Sequence, residues 1–218
     1  MFAAASLTNV FEPLAEAFER SYPDLQLKAQ FASTGALREQ LLSGAPADVF
    51  LSADQQSIEL LGTAGVTNRA SSFATNDLVV ASPVENAAGA TSVDDLHRND
   101  VLIGLCVDSA PCGALADDAL ATVGVIAQVA TREPNAAALA SKLRASEIDL
   151  AVVYRSDVVG SEGELVVVDE LDDASDGATY FSSVIGAESE APTAFIEFLS
   201  SGEAQEILDR AGFGTPSP

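Results

Sequence analysis

The sequence has few basic residues: Lys and Arg number 10 among 218 residues, Asp and Glu number 33, and the formal net charge is -23. Proteins bind nucleic acid phosphates and anionic membrane surfaces through Lys and Arg, so this composition excludes both kinds of partner. Hydrophobic residues still make up 48% of the chain. Because disordered acidic segments lack that much apolar area, we expect a folded core inside a strongly acidic, solvated surface.

Groups for catalysis are also scarce. His97 is the one histidine, and its charged neighbours indicate a solvated surface position; Ser-His-Asp or Cys-His chemistry would have to use it. Phosphate-binding loops, dinucleotide fingerprints and zinc-ligand spacings are missing. The acidic run at 169–177 fails as a calcium loop because Ala174 stands where an oxygen ligand is needed. The sequence therefore predicts neither an enzyme nor a cofactor.

Two cysteines, Cys106 and Cys112, flank one short loop, with Pro111 and Gly113 beside the second. This is not the C-x-x-C spacing of redox enzymes or zinc knuckles. Two interpretations stay open. The pair forms a disulfide, which implies an oxidising compartment, or the two are free thiols at a strand end and a helix start.

Short apolar runs alternate with helical patterns along the whole chain, which predicts parallel α/β sheets. About ten strands in a chain of this size predict two sheets and hence two lobes. The predicted strands include 25–31, 49–51, 78–81, 101–107, 125–130, 150–154 and 165–168. The predicted helices include one with an apolar face from Leu7 to Phe18, and others at 36–42, 114–122, 134–145, 191–199 and 204–211. Segments 78–83 and 179–185 are candidate crossings between the lobes.

Small or hydroxyl residues recur where strands end and helices begin, in segments 3–8, 31–37, 111–113 and 135–136. Helix N-termini present unpaired N–H groups and the positive end of the helix dipole. Several of them converging can bind an anion without Lys or Arg. Each motif alone is typical of ordinary capping, but their recurrence in both halves favours an anion site.

The segments 2–8, 44–54, 111–113 and 152–157 carry a family resemblance. On them the chain resembles the molybdate-binding proteins of bacterial molybdate ABC transporters over nearly its whole length. The resemblance implies a type II-like periplasmic-binding fold, with two α/β lobes of mainly parallel sheet joined by two crossing strands. Lobe I would comprise 1–79 and 184–218, and lobe II 80–183, with molybdate or tungstate in the cleft between them.

The resemblance also implies a pocket of neutral hydrogen-bond donors. The implied donors are Ser6, Thr34, Cys112, Ala136 and Tyr154. The first two would use hydroxyl and backbone N–H groups, the next two backbone N–H groups, and the tyrosine its phenolic O–H. Ser33 is an additional candidate beside Thr34. Molybdenum or tungsten would be held only as the oxyanion, with no protein ligand to the metal.

The same resemblance implies a monomer on the periplasmic or extracellular face of the membrane that delivers its ligand to the permease of an ABC transporter. Members normally have a full strand and a secretion signal before the motif at 2–8, so we expect a truncated or misassigned start here. Three alternatives remain: a binding protein for another oxyanion such as sulfate, an enzyme on the same fold, and an intracellular sensor domain.

Overall fold

Strands and helices alternate along the chain as the apolar periodicity predicts. The computed structural model describes residues 1–171, 177–186 and 189–216, apart from the side chain at position 68. The strands are β1 (Phe2–Ala4), β2 (Gln30–Ala32), β3 (Val49–Ser52), β4 (Thr67–Asn76), β5 (Leu78–Pro83), β6 (Ile103–Cys106), β7 (Val129–Glu133), β8 (Leu150–Tyr154), β9 (Leu165–Glu170) and β10 (Ala178–Ile185). The α-helices are α1 (Thr8–Ser21), α2 (Thr34–Leu42), α3 (Gln55–Thr63), α4 (Pro111–Thr122), α5 (Ala136–Arg144), α6 (Arg155–Val159), α7 (Glu190–Leu199) and α8 (Gly202–Arg210). Two 3-10 helices cover Ala5–Leu7 and Val93–His97.

The chain forms two units. One comprises Met1–Thr75 and Thr179–Pro218, and the other comprises Asn76–Ala178. The chain thus passes between the units just before β5 and at the start of β10. The lobe boundaries predicted from the sequence, 79/80 and 183/184, lie inside these two strands.

The first unit contains a five-stranded sheet in the order β2-β1-β3-β10-β4. β1 runs parallel to both of its neighbours, β2 and β3, whereas β10 runs antiparallel to β3. Apolar residues of β1 and β3 pack against residues of α2 and α3, forming a buried cluster of Phe2, Leu37, Leu41, Phe50 and Leu61. The predicted apolar face of α1, from Leu7 to Phe18, is also buried.

The second unit contains a five-stranded sheet in the order β7-β6-β8-β5-β9. β6 runs parallel to β7 and β8, whereas β5 runs antiparallel to β8 and β9. All five residues of the central strand β8 are buried, as expected for a strand with an unbroken apolar sequence. The predicted α/β class with two sheets is confirmed, and each sheet contains an antiparallel strand in addition to its parallel core.

Several element boundaries differ from the prediction. The strand predicted at 25–31 is formed only from Gln30, and the one predicted at 125–130 is formed only from Val129. Pro134 is not in the first turn of α5, because Asn135 caps that helix by accepting a hydrogen bond from Ala138 N at 2.9 Å. β4 was not predicted. It is an edge strand whose mostly polar sequence gives no apolar alternation, although Phe73 and Ala74 in it are buried.

The described ranges contain neither a membrane-spanning helix nor a cluster of potential metal ligands. No helix there is both long and apolar enough to cross a bilayer. Nor do three or more His, Cys, Asp or Glu side chains cluster there as they would around a metal ion. The acidic run considered as a calcium loop includes residues 172–176, which lie outside the described residues.

Candidate functional site

In the first unit, two hydroxyl residues follow neighbouring parallel strands. Ser6 lies in the 3-10 helix directly after β1, and Thr34 is the first residue of α2, shortly after β2. Because the carboxyl ends of parallel strands meet at one edge of a sheet, this edge collects both hydroxyls. Binding sites of α/β sheets form at such edges.

The hydroxyl of Thr34 is placed by a main-chain contact. Its Oγ1 accepts a hydrogen bond from the N–H of Ala53, just after β3, at 3.2 Å. An oxygen that accepts from the protein keeps its own proton for donation, so the Thr34 O–H is suited to an anion. The neighbouring Ser33 caps α2, because its Oγ accepts a hydrogen bond from Ala36 N at 3.4 Å.

Ser6 is paired with a tyrosine. Its Oγ lies 2.7 Å from Oη of Tyr180 in β10, and either atom can be the donor. Ser6 is 7% exposed and Tyr180 is fully buried. The partner was missed in the sequence because 174 residues separate the two positions and Tyr180 belongs to no local motif.

In the second unit, three proposed donors lie at or just after the carboxyl ends of three adjacent parallel strands. Cys112 is in the first turn of α4 after β6, Ala136 is the first residue of α5 after β7, and Tyr154 ends β8. Since β7, β6 and β8 are neighbours and parallel, these residues also share one carboxyl edge. The structure therefore groups the predicted residues within each unit.

The loop before α4 is cross-linked. Cys106 and Cys112 form a disulfide with 5.8 Å between their Cα atoms. The neighbouring Gly113 is required by space, because a Cβ there would collide with the carbonyl of Val107 and lie 2.8 Å from that of Cys106. Ala110, the N-cap of α4, has no polar side chain to cap the helix. Pro111 has no N–H and the Gly113 N–H donates to Ala110 O at 2.9 Å, so the N–H of Cys112 is the first-turn group suited to an external acceptor.

Glu133, three residues before Ala136, forms an ion pair with Lys142. Glu133, at the end of β7, accepts hydrogen bonds from Lys142 Nζ at 2.6 Å and Thr131 Oγ1 at 2.8 Å. The bond from Lys142, followed by that from Thr131, lowers the pKa of Glu133. Its charge is thus compensated locally, which limits its repulsion of an anion near the start of α5.

Tyr154 is hydrogen-bonded to a buried acid, Asp157. Its backbone N–H donates to Oδ2 of Asp157 at 3.1 Å, and both residues are buried. Loss of solvation raises the pKa of Asp157 to about 7, although the bond from Tyr154 and the charge of Arg144 act in the opposite direction. Asp157 lies in the motif segment 152–157, but no role was predicted for it from the sequence.

His97 contacts the main chain. Its Nδ1 lies 3.3 Å from Asp94 O, and its Nε2 accepts from Ile126 N at 3.3 Å. The ring is exposed. The first contact lies within the 3-10 helix Val93–His97, and the second connects that helix to the segment of Ile126. The predicted surface position is confirmed.

Known proteins resemble this chain over nearly its full length. The model of the bacterial extracellular solute-binding protein family matches residues 1–214. The molybdate-binding protein ModA of Escherichia coli is 32% identical over 230 residues, covering 98% of this chain and 87% of that protein. ModA of Mycobacterium tuberculosis is 28% identical over 219 residues, covering 99% and 84%.

A solved structure has the same fold. The periplasmic molybdate-binding protein of Azotobacter vinelandii superposes with a TM-score of 0.87 at 19% identity, covering 99% of this chain and 98% of that one. The resemblance drawn from the four motif segments is confirmed by these matches. The chain belongs to the family of bacterial extracellular solute-binding proteins.

Proposed function

We propose that the protein binds molybdate or tungstate outside the cytoplasmic membrane, as a monomer, and delivers it to the permease of an ABC transporter. One observation carries the proposal: in each unit, neutral donors are collected at the carboxyl edge of adjacent parallel strands. The donors are Ser6 and Thr34 in the first unit, and Cys112, Ala136 and Tyr154 in the second. The molybdate-binding relatives support the choice of ligand.

Neutral donors suit a fully deprotonated tetrahedral dianion. Each hydrogen bond to a charged acceptor contributes about 1.5–3 kcal/mol, whereas a carboxylate would repel the ligand and a Lys would attract many anions unselectively. Protonated phosphate is disfavoured because its O–H needs an acceptor. Sulfate has the charge and shape of molybdate but is smaller, so its exclusion depends on the size of the site.

The proposed role is reversible binding without catalysis. His97, the one histidine, makes main-chain contacts at the surface, and the donor set contains neither a nucleophile with its base nor a metal ligand. The disulfide between Cys106 and Cys112 supports a location in an oxidising compartment, since such bonds persist mainly outside the cytosol.

Calorimetric titration with molybdate, tungstate, sulfate and phosphate tests the proposal. We expect saturable binding of molybdate or tungstate at one site, with sulfate at least tenfold weaker. A preference for sulfate would favour the other-oxyanion alternative. The absence of heat with all four anions at high protein concentration would refute the proposal. Native mass spectrometry of the complex reports the ligand mass and the disulfide together.

A further inference from the structure

We infer that Tyr180 is a positioning residue for the oxyanion site: it donates to Ser6 Oγ and so directs the Ser6 proton towards the anion. The inference rests on the proposed function and adds a residue to it. The observation behind it is the buried contact of 2.7 Å between Ser6 Oγ and Tyr180 Oη.

The ring of Tyr180 packs against phenylalanine side chains. Phe73 and Phe213 approach it edge-on, with centroid distances of 6.2 Å and 5.5 Å. Phe213 is fixed in turn because the next residue, Gly214, exchanges two main-chain hydrogen bonds with Thr75, of 2.8 Å and 2.9 Å. The phenolic oxygen therefore meets Ser6 from a ring that packing has already immobilised, and little conformational entropy is lost when the bond forms.

Counting protons decides the direction of the bond. Each hydroxyl has one proton, so Ser6 can donate to an anion only if Tyr180 is the donor within the pair. A phenol, with a pKa near 10, is a better donor than an aliphatic alcohol. Donation into Ser6 Oγ also polarises the Ser6 O–H and strengthens its bond to an acceptor. The proton count, the relative donor strengths and the polarisation of the Ser6 O–H all favour one arrangement, in which Tyr180 donates to Ser6 and Ser6 donates to the oxyanion.

The variant Tyr180→Phe tests the inference because it removes Oη and keeps the ring between Phe73 and Phe213. We expect the Kd for molybdate to rise about five- to tenfold, as for the loss of one hydrogen bond. The matched control is Tyr22→Phe. Tyr22 likewise contacts a phenylalanine of the first unit, being stacked on Phe18 with 4.6 Å between centroids. It is 41% exposed, and its variant should leave the Kd unchanged.

A double-variant cycle separates positioning from a general structural role. In the Ser6→Ala background, Tyr180→Phe should cause no further loss of affinity, since the proton that it directs is gone. A structural role would instead weaken binding equally in both backgrounds. The calorimetric stoichiometry of each variant reports the folded, binding-competent fraction.

The outcomes are distinguishable. If the wild-type protein binds none of the four oxyanions, the proposed function fails. If the wild type binds molybdate and Tyr180→Phe binds it equally well, only the inference about Tyr180 fails. Equal losses with and without the Ser6 hydroxyl, or no effect of Ser6→Ala, would likewise overturn it.

Discussion

The backbone N–H of Tyr154 donates to the carboxyl of Asp157 at 3.1 Å. Tyr154, a proposed donor to the oxyanion, is thus hydrogen-bonded to a buried acid whose pKa is raised to about 7. The contact fixes the main chain where β8 ends and α6 begins. It also connects the stability of this part of the second unit to pH.

Asp157→Asn should stabilise the protein at high pH. The folded pKa of Asp157 is about 7, against an unperturbed value of 3.8. The native state therefore holds this proton more tightly than the unfolded state, and the free energy of unfolding falls as pH rises from about 4 to about 7. Above that range the buried charge costs about 4 kcal/mol, which the neutral amide avoids.

Urea unfolding of wild type and Asp157→Asn at several pH values measures this effect. The advantage of the variant should be greatest near pH 8 and should shrink towards pH 4. Asp149→Asn is the control, because the half-buried Asp149 also accepts a backbone hydrogen bond, from Leu102 N at 2.8 Å. A pH-independent difference for Asp157→Asn would contradict the assigned burial penalty.

Tyr154→Phe should weaken molybdate binding about tenfold or more, because it removes one O–H donor to a charged acceptor. Calorimetry gives the Kd, and Tyr22→Phe serves as the control for the loss of a phenolic hydroxyl elsewhere. An affinity equal to that of the wild type would remove Tyr154 from the site.

Ala136→Pro should abolish one main-chain donor without breaking a helix. Ala136 is the first residue of α5, a position that proline tolerates because its N–H has no partner within the helix. We expect at least about a tenfold rise in the Kd for molybdate, measured by calorimetry, with a small change in Tm.

Glu190→Pro is the matched control for Ala136→Pro. Glu190 is the first residue of α7 in the first unit, away from the proposed donors, so the same substitution there should leave the Kd unchanged. If Ala136→Pro bound molybdate as tightly as the control, the N–H of Ala136 would not be a donor.

The double variant Cys106→Ser, Cys112→Ser should lower the free energy of unfolding by about 2 kcal/mol, the chain-entropy value for so short a loop. Urea denaturation measures the loss. The Kd for molybdate should change little, because serine supplies the same backbone N–H at position 112. A folded double variant that no longer bound molybdate would show that the cross-link itself is required.

The sequence alone predicted the class of the fold and the strand–helix junctions at which the proposed donors lie, because such junctions have local signals. Ser6, Thr34 and Cys112 each follow an apolar run and begin a helix, so their places could be predicted. β4 could not, since the mostly polar sequence of this edge strand has no apolar alternation. The antiparallel direction of β5 and β10 depends on long-range pairing that no local pattern records.

Tyr180 and Asp157 were missed for related reasons. The partner of Tyr180 lies 174 residues away, so their contact exists only in three dimensions. Asp157 has the sequence position of an ordinary acid in the first turn of a helix, which is usually solvated. Its burial depends on how α6 packs against the sheet, and side-chain spacing does not indicate that.

At position 112 the side chain and the main chain have separate roles. Its side chain forms the cross-link to Cys106, while its proposed contribution to the ligand comes from the main chain. The side chain at position 112 can therefore be exchanged, and the cross-link lost or gained, without altering the proposed main-chain donor.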